Sequence, residues 1–267
     1  EIGSGLVGSE MCIRDSSIIL QPAIVTNYLG DKLPIVNIMG RYNPDAGRRV
    51  LLLAHWDTRP WADSDPNIEN RARPILGAND GASGVGVMLE IARLMQQKRP
   101  DIGVDLLFVD GEDCGMSEGW GSSESSWCLG TQYWTEHMPY EADQLPDYGI
   151  LLDMVGGRDA LFYKEYVSEQ NASQVNSRIW QIAEASGYGD RFPKEVRGGI
   201  TDDHIFINRA GIPCIDIIEC GNPVTGTFPE HWHTLNDDMK IIDKGSLKAA
   251  GQTVVNALYI EKDNKKQ

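Results

Sequence analysis

The sequence predicts an α/β fold, a three-layer α/β/α sandwich around a central, mostly parallel, mixed sheet. Three observations carry that expectation: four short apolar runs with strand character, amphipathic helical patterns between them, and acidic residues at or just before the end of each run. Strands alternating with helices imply a mostly parallel sheet whose two faces are both covered.

The strand candidates are VLLLAHWD (50–57), VDLLFVD (104–110), YGILLDMV (148–155) and IPCIDIIE (212–219), each short and rich in Leu, Ile, Val or aromatics. In GVGVMLEIARLMQQ, Val85, Met88, Leu89, Ala92 and Met95 recur at intervals of three and four, predicting a helix with those residues on its core face. SQVNSRIWQIAEAS (173–186) and a segment from about Gly245 to Glu261 read as helices too. Two irregular insertions, 59–76 and 115–130, are rich in Pro or in Gly and Ser, and loops of that length inside a domain are usually functional or disordered. No repeat or linker divides the chain, so 18–267 is expected to be a single catalytic domain. Residues 1–17 carry no apolar core of a signal peptide and are set aside as a non-native or disordered leader.

The chain of 267 residues has a formal net charge of −15 and a pI near 4.7. That charge repels polyanions, and no basic cluster interleaved with aromatics offsets it, so no nucleic-acid partner is expected. A peptide with a free α-amine would be mildly favoured by an acidic mouth. No apolar run approaches the roughly 18–20 residues of a membrane span. Cys12 lies in the leader; Cys114, Cys128, Cys214 and Cys220 form no CxxC pair, which argues against a zinc ribbon and leaves disulfides open for an exported protein.

The chemistry is concentrated in acids. Asp57, then Asp110 with Glu112 and Asp113, then Asp153, then Asp216 with Glu219, mark the four strand ends. In open α/β sheets ligands bind outside the carboxyl ends of the strands, so these acids could share one rim, where they would repel without a cation or shared protons. Each alone could simply solvate a loop; the set asks for a metal. Asp80 in LGANDGASG adds a further acid among glycines, with a helix N-cap as its ordinary alternative. His55 falls in a strand, and His231 and His233 in EHWHT would face one side of an extended segment. His137 reads as a surface residue and His204 as a structural one. Asp80, Asp113 and His233 together suit zinc with a fourth position open, while Glu112, adjacent to Asp113, diverges from it and can serve protons.

HWDTR, LGANDGASGVGVMLEIARL, FVDGEDCG, WCLGTQYW, LLDMVGG, TDDHIF and EHWHTLNDD, in this order, resemble metallopeptidase family 28 and most closely its bacterial zinc-dependent glutaminyl cyclases. The resemblance runs from about Val50 to the C-terminus and implies a zinc-aminopeptidase-like fold. In the two-zinc aminopeptidases of the family the metal ligands would fall on His55, Asp80, Asp113, Asp153 and His233. In the cyclases one zinc is implied at Asp80, Asp113 and His233, with Glu112 as proton shuttle and Asp153 on the substrate. Asp113 stands where the peptidases have Glu, which favours the cyclase branch. Trp232, with Trp120 or Trp127, is expected to wall the pocket, whereas Trp134 and Trp180 read as core.

The expected reaction is conversion of N-terminal glutamine to pyroglutamate with release of ammonia. Glu112 would move the proton, and Asp153, with Asp202 supporting it from behind, would position the substrate amide and the proton on Glu112. A two-zinc aminopeptidase is the alternative, because all five ligand types are present. A non-catalytic peptide-binding homologue is a third. Peptides with a free N-terminal Gln are the expected partners, the protein is expected to be a monomer, and the resemblance implies a periplasmic or secreted location.

Overall fold

Strand β3 (Arg49–His55) has only apolar side chains from Val50 to Ala54, so both of its faces must be covered for it to exist in water. The computed structural model, which describes residues 16–117, 124–141 and 143–263, places β3 at the middle of a six-stranded sheet. The remaining strands are β1 (Ser16–Thr26), β2 (Lys32–Tyr42), β4 (Gly103–Val109), β5 (Tyr148–Leu152) and β6 (Cys214–Ile217). Their spatial order is β1-β2-β4-β3-β5-β6. Parallel pairing joins β4, β3, β5 and β6, and antiparallel pairing adds β2 and then β1 at one edge.

Five α-helices cover the faces: α1 (Ala82–Gln97), α2 (Leu129–Glu136), α3 (Tyr166–Ala185), α4 (Asp203–Arg209) and α5 (Lys244–Ile260). The period-two alternation of the strands sorts the core into two halves. Val50, Leu52 and Ala54 pack with Met88 and Ile91 of α1, Ile179 and Trp180 of α3, and Val254 and Leu258 of α5. Leu51 and Leu53 face the other way, against Trp134 of α2 and Ile207 of α4. Trp134 and Trp180 are thus core residues, as expected. The result is the α/β/α sandwich with a mixed sheet that the sequence predicts.

Several details differ from the sequence reading. The two antiparallel strands β1 and β2 were not anticipated, and β1 takes in Ser16 and Ser17 from the segment set aside as leader. Helix α1 buries Val87, Met88, Ile91 and Met95, while Leu89 is 42% exposed. Its core stripe is therefore rotated from the predicted one, because Gly84, against Leu152 O and Ala54, sets which side of the helix meets the sheet. Asp216 lies inside β6, fully buried, rather than on its rim. Cys114, Cys128, Cys214 and Cys220 are all free, with no disulfide among the described residues. No helix among those residues is long and apolar enough to cross a membrane.

Candidate active site

The inner strands end on one rim. His55 closes β3, and Asp153 follows β5 directly. Glu112 and Asp113 follow β4 after Gly111, whose φ of +66° makes the turn. Asp80 comes from the β3–α1 connection, and His233 from the long segment between β6 and α5. Cys128, Met154 and His233 have positive φ without being glycine (+56°, +44° and +52°). Such backbone costs of order 1–3 kcal/mol per residue and persists where packing over-determines it, as at functional sites.

Two triads share one carboxylate. His233 Nε2 lies 3.4 Å from Asp80 Oδ2 and 3.1 Å from Asp113 Oδ1. His55 Nε2 lies 3.2 Å from Asp80 Oδ1 and 3.1 Å from Asp153 Oδ1. Asp80 thus turns one oxygen to each side, as a bridging ligand would. Within each triad the donor atoms lie within 4.8 Å of one another, and all five residues are buried.

The electrostatics call for a cation. Burial, with the charge of Asp80 adding to it, pushes the Asp113 carboxyl up to about 6. Burial likewise raises Glu112 well above the usual carboxylate range, reinforced by Asp113 and Asp202 and opposed by His55. Asp80 is held low by the imidazoles of His233 and His55 although burial opposes this. Asp80 Oδ2 and Asp113 Oδ2 have no hydrogen-bond partner among the described residues, and a buried oxygen left so is costly. Two carboxylates and an imidazole converging with orphaned oxygens fit a divalent metal of the zinc class. The other ring nitrogen of His233, Nδ1, lies 3.5 Å from Asp63 Oδ1, the carboxylate–histidine arrangement that orients a ligating imidazole.

Asp80, Glu112, Asp113, Asp153, Asp202, Trp127, Trp232 and His233 all line one cavity of ≈ 290 Å³, with Met154, Ile200, Ile218 and Phe228 among its apolar walls. Trp232 stacks on His233 with ring centroids 3.7 Å apart, and Phe228 stacks on Trp232 at 4.4 Å. Trp120 lies outside the described residues. Burial raises Asp202 well above its ordinary range, helped by Asp153 and Asp203, and Asp153 is raised for the same first reason. His55 sits behind Asp80 and Asp153, turned toward them. His204 is fully buried, 3.1 Å from Glu165 Oε2. His137 is exposed. The segment carrying His231 is a turn rather than extended, so His231 faces Asn79 Nδ2 at 3.1 Å instead of joining His233.

Sequence reasoning missed the groups that hold the site residues. Arg59, 1% exposed, donates from Nη1 to the carbonyls of Asp113 (2.9 Å) and Gly115 (2.7 Å), and pairs with Asp63. Its guanidinium lies 4.8 Å from the Trp127 ring centroid. The Cys128 thiol donates to Glu112 Oε1 at 3.3 Å. Asp57, read as a rim acid, instead accepts the backbone N–H groups of Glu112 and Asp113, each at 3.1 Å. The length of the 59–76 insertion was the one available signal for Arg59 and Asp63.

Comparison with known proteins places this architecture. A solved glutaminyl cyclase of Bacteroides thetaiotaomicron, bound to N-acetylhistamine, is 48% identical with a TM-score of 0.91, over 97% of this chain and 89% of that one. A structure described as a leucine aminopeptidase precursor from the same species is 47% identical with a TM-score of 0.90, over 97% and 88%. Glutaminyl-peptide cyclotransferase of Drosophila melanogaster is 30% identical over 235 residues, 79% of this chain and 61% of that protein. The chain spans about three fifths of the length of the first curated relatives it matches. The sequence model of peptidase family M28 covers residues 37–258, most of the chain, and the protein belongs to that family.

Proposed function

We propose that the protein is a zinc-dependent glutaminyl-peptide cyclotransferase, converting the N-terminal glutamine of peptides to pyroglutamate and releasing ammonia. The carrying observation is that Glu112 lines the same cavity as Asp80, Asp113 and His233. The likeness to the Bacteroides thetaiotaomicron cyclase supports it.

Asp80, Asp113 and His233 would hold the zinc, which when bound supplies Lewis-acid polarisation of the side-chain amide oxygen. Glu112 accepts a proton from the α-amine as its nitrogen bonds to the side-chain carbonyl carbon, then returns it to the departing amide nitrogen. Burial lifts the Glu112 carboxyl well above its usual range near 4.3, which makes it a better proton acceptor than an exposed carboxylate. The Cys128 thiol occupies Oε1 and leaves Oε2 for that transfer. Asp153 and Asp202, both raised, can share hydrogen bonds with the amide nitrogen. Trp127, Trp232, Ile218 and Phe228 offer apolar walls against which the glutamine side chain can pack.

The test is incubation of the purified zinc-loaded protein with a peptide beginning with Gln, followed by mass spectrometry. Loss of one ammonia is the expected outcome. Removal of the first residue would overturn it in favour of a two-metal aminopeptidase, a reading that the convergence of His55 with Asp80 and Asp153 favours. Metal analysis separates the two independently: we expect one zinc per chain, retained in His55→Ala, whereas two equivalents falling to one in that variant would support the aminopeptidase.

A further inference from the structure

Asp237 is fully buried four residues beyond His233, and belongs to neither ligand triad. No ion pair reaches its carboxylate among the described residues. It receives backbone amides instead. Its Oδ1 accepts the N–H of Asn79 at 2.8 Å and its Oδ2 the N–H of Asp80 at 3.0 Å, while its carbonyl accepts the N–H of Ala78 at 3.4 Å. Three consecutive amides leading to Asp80 therefore end on one residue. That residue is tied to His233 through a tight turn: Thr234 N and Oγ1 donate to His231 O at 3.2 and 2.8 Å, and Asp237 N donates to Thr234 O at 3.2 Å. The other side of the site repeats the device, with Asp57 accepting the two amides that lead into and carry Asp113.

We propose that Asp237 is a positioning residue for the metal centre, its carboxylate bolting the Asp80 backbone to the turn that carries His233 and so setting the separation of these two ligands. The inference rests on the reading that Asp80 and His233 hold zinc. Metal–ligand distances tolerate about ±0.2 Å, so a backbone displaced by an ångström cannot keep both ligands in place. Asp237→Asn is the informative change, because the carboxamide keeps one acceptor and turns an N–H₂ toward an amide N–H. Donor then faces donor, and the 79–80 backbone must move.

The experiment measures zinc affinity by competition with dipicolinate, with the absorption spectrum of the cobalt(II)-substituted protein as a second readout. For Asp237→Asn we expect zinc affinity to fall about 10–100-fold, the range for groups that orient ligands, and the cobalt bands to shift. Asp237→Glu keeps the charge but is a methylene too long, and is expected to shift the cobalt bands as well. Wild-type affinity within twofold and an unchanged cobalt spectrum in either folded variant would overturn the inference, even if stability had dropped. Zinc binding as in wild type combined with lost cyclisation would overturn it and leave the zinc reading standing, whereas a wild-type protein that takes up no zinc overturns both. Hydrogen exchange on the metal-stripped wild type needs no variant: the Asn79 and Asp80 amides are expected to remain protected, and rapid exchange there would show that Asp237 does not hold that backbone before metal arrives.

Discussion

The two ends of the central sheet treat buried acids in opposite ways. Toward the amino end, Asp105 of β4 is 0% exposed and fully partnered from within the chain. It receives Arg49 Nε at 2.8 Å, Arg41 Nε at 3.3 Å and the Tyr140 hydroxyl at 2.8 Å. At the carboxyl end, Asp80, Glu112, Asp113, Asp153 and Asp202 share a cavity in which burial raises every carboxyl but Asp80, Asp80 Oδ2 and Asp113 Oδ2 lack hydrogen-bond partners among the described residues, and the nearby Arg59 spends its Nη1 bonds on carbonyls. Equal burial has produced a structural ion cluster at one end and a convergence of metal-ligating side chains at the other. The difference is in the partners: Arg49, Arg41 and the Tyr140 hydroxyl meet Asp105, whereas Asp80 and Asp153 meet imidazoles and no Arg or Lys among the described residues.

The largest expected effect breaks the chemistry at the carboxyl end while leaving Asp80, Asp113 and His233 in place. Glu112→Gln should lower cyclisation of a Gln peptide about 10²–10⁴-fold, the usual contribution of a positioned acid–base group, with zinc content unchanged. In the wild type kcat should fall as pH drops through the raised Glu112 carboxyl, because only the carboxylate can accept the amine proton. That acid limb should vanish from the residual activity of the variant. A variant that kept the limb would shift the role to Asp153 or Asp202.

Next in size is the amino end. Arg49→Ala leaves Asp105 buried without its main partner, and urea unfolding should show a loss of about 3–5 kcal/mol. Zinc bound per folded molecule should not change. If zinc affinity fell with stability, the two ends would be coupled and the division drawn between them would be wrong.

A smaller change tests whether the carboxyl end is supported from outside its first ring of residues. Asp63 takes Arg59 Nε at 3.2 Å and Nη2 at 2.6 Å and stands beside His233 Nδ1. Asp63→Asn should weaken zinc binding about tenfold in a chelator competition, and should lower stability as well, because the buried Arg59 loses its paired carboxylate. An unchanged affinity would mean that stacking on Trp232 alone orients the imidazole.

The sequence made the carboxyl end more legible than the rest. Strands β3 to β6 are apolar runs with acids at or near their ends, and the rim that collects those acids follows from parallel topology, so Glu112, Asp113 and Asp153 could be named before the fold was seen, while Asp80 and His233 stood out in LGANDGASG and EHWHT. Strands β1 and β2 were illegible for a physical reason. β1 is an edge strand containing Pro22, and although its burial alternates along the strand, Ile18, Leu20 and Ile24 fall on the exposed face, so apolar residues do not mark the covered side. The roles of Asp57 and Asp237 were hidden because their partners are backbone amides 55 and 158 residues away in the chain, which no local pattern encodes. Asp216 was misplaced because a strand-end acid and an interior one look alike in a run of isoleucines.

The smallest expected effect concerns Asp110, which sits two residues from Glu112 yet belongs to neither end. Its Oδ2 accepts the N–H of Val36 at 2.8 Å, and its own N–H donates to Asn37 Oδ1 at 3.1 Å, so it ties the end of β4 to β2. Burial, with Asp57 adding its charge, pushes this carboxyl up to about 6, above the roughly 3.9 of an unfolded chain. The fold therefore favours the protonated form: that contribution is whole below about 3.9 and is lost as pH rises through about 6. At pH 7 the ionised group costs stability that Asp110→Asn should restore, because the carboxamide oxygen can still accept from Val36. Partial exposure screens the charge, so the gain should stay below about 1 kcal/mol, appear as a slightly higher Tm at pH 7 and disappear by about pH 4. Zinc affinity should be unchanged. A loss of zinc binding would instead join Asp110 to the metal centre and erase the boundary between the acid that stitches strands and the two acids beyond it.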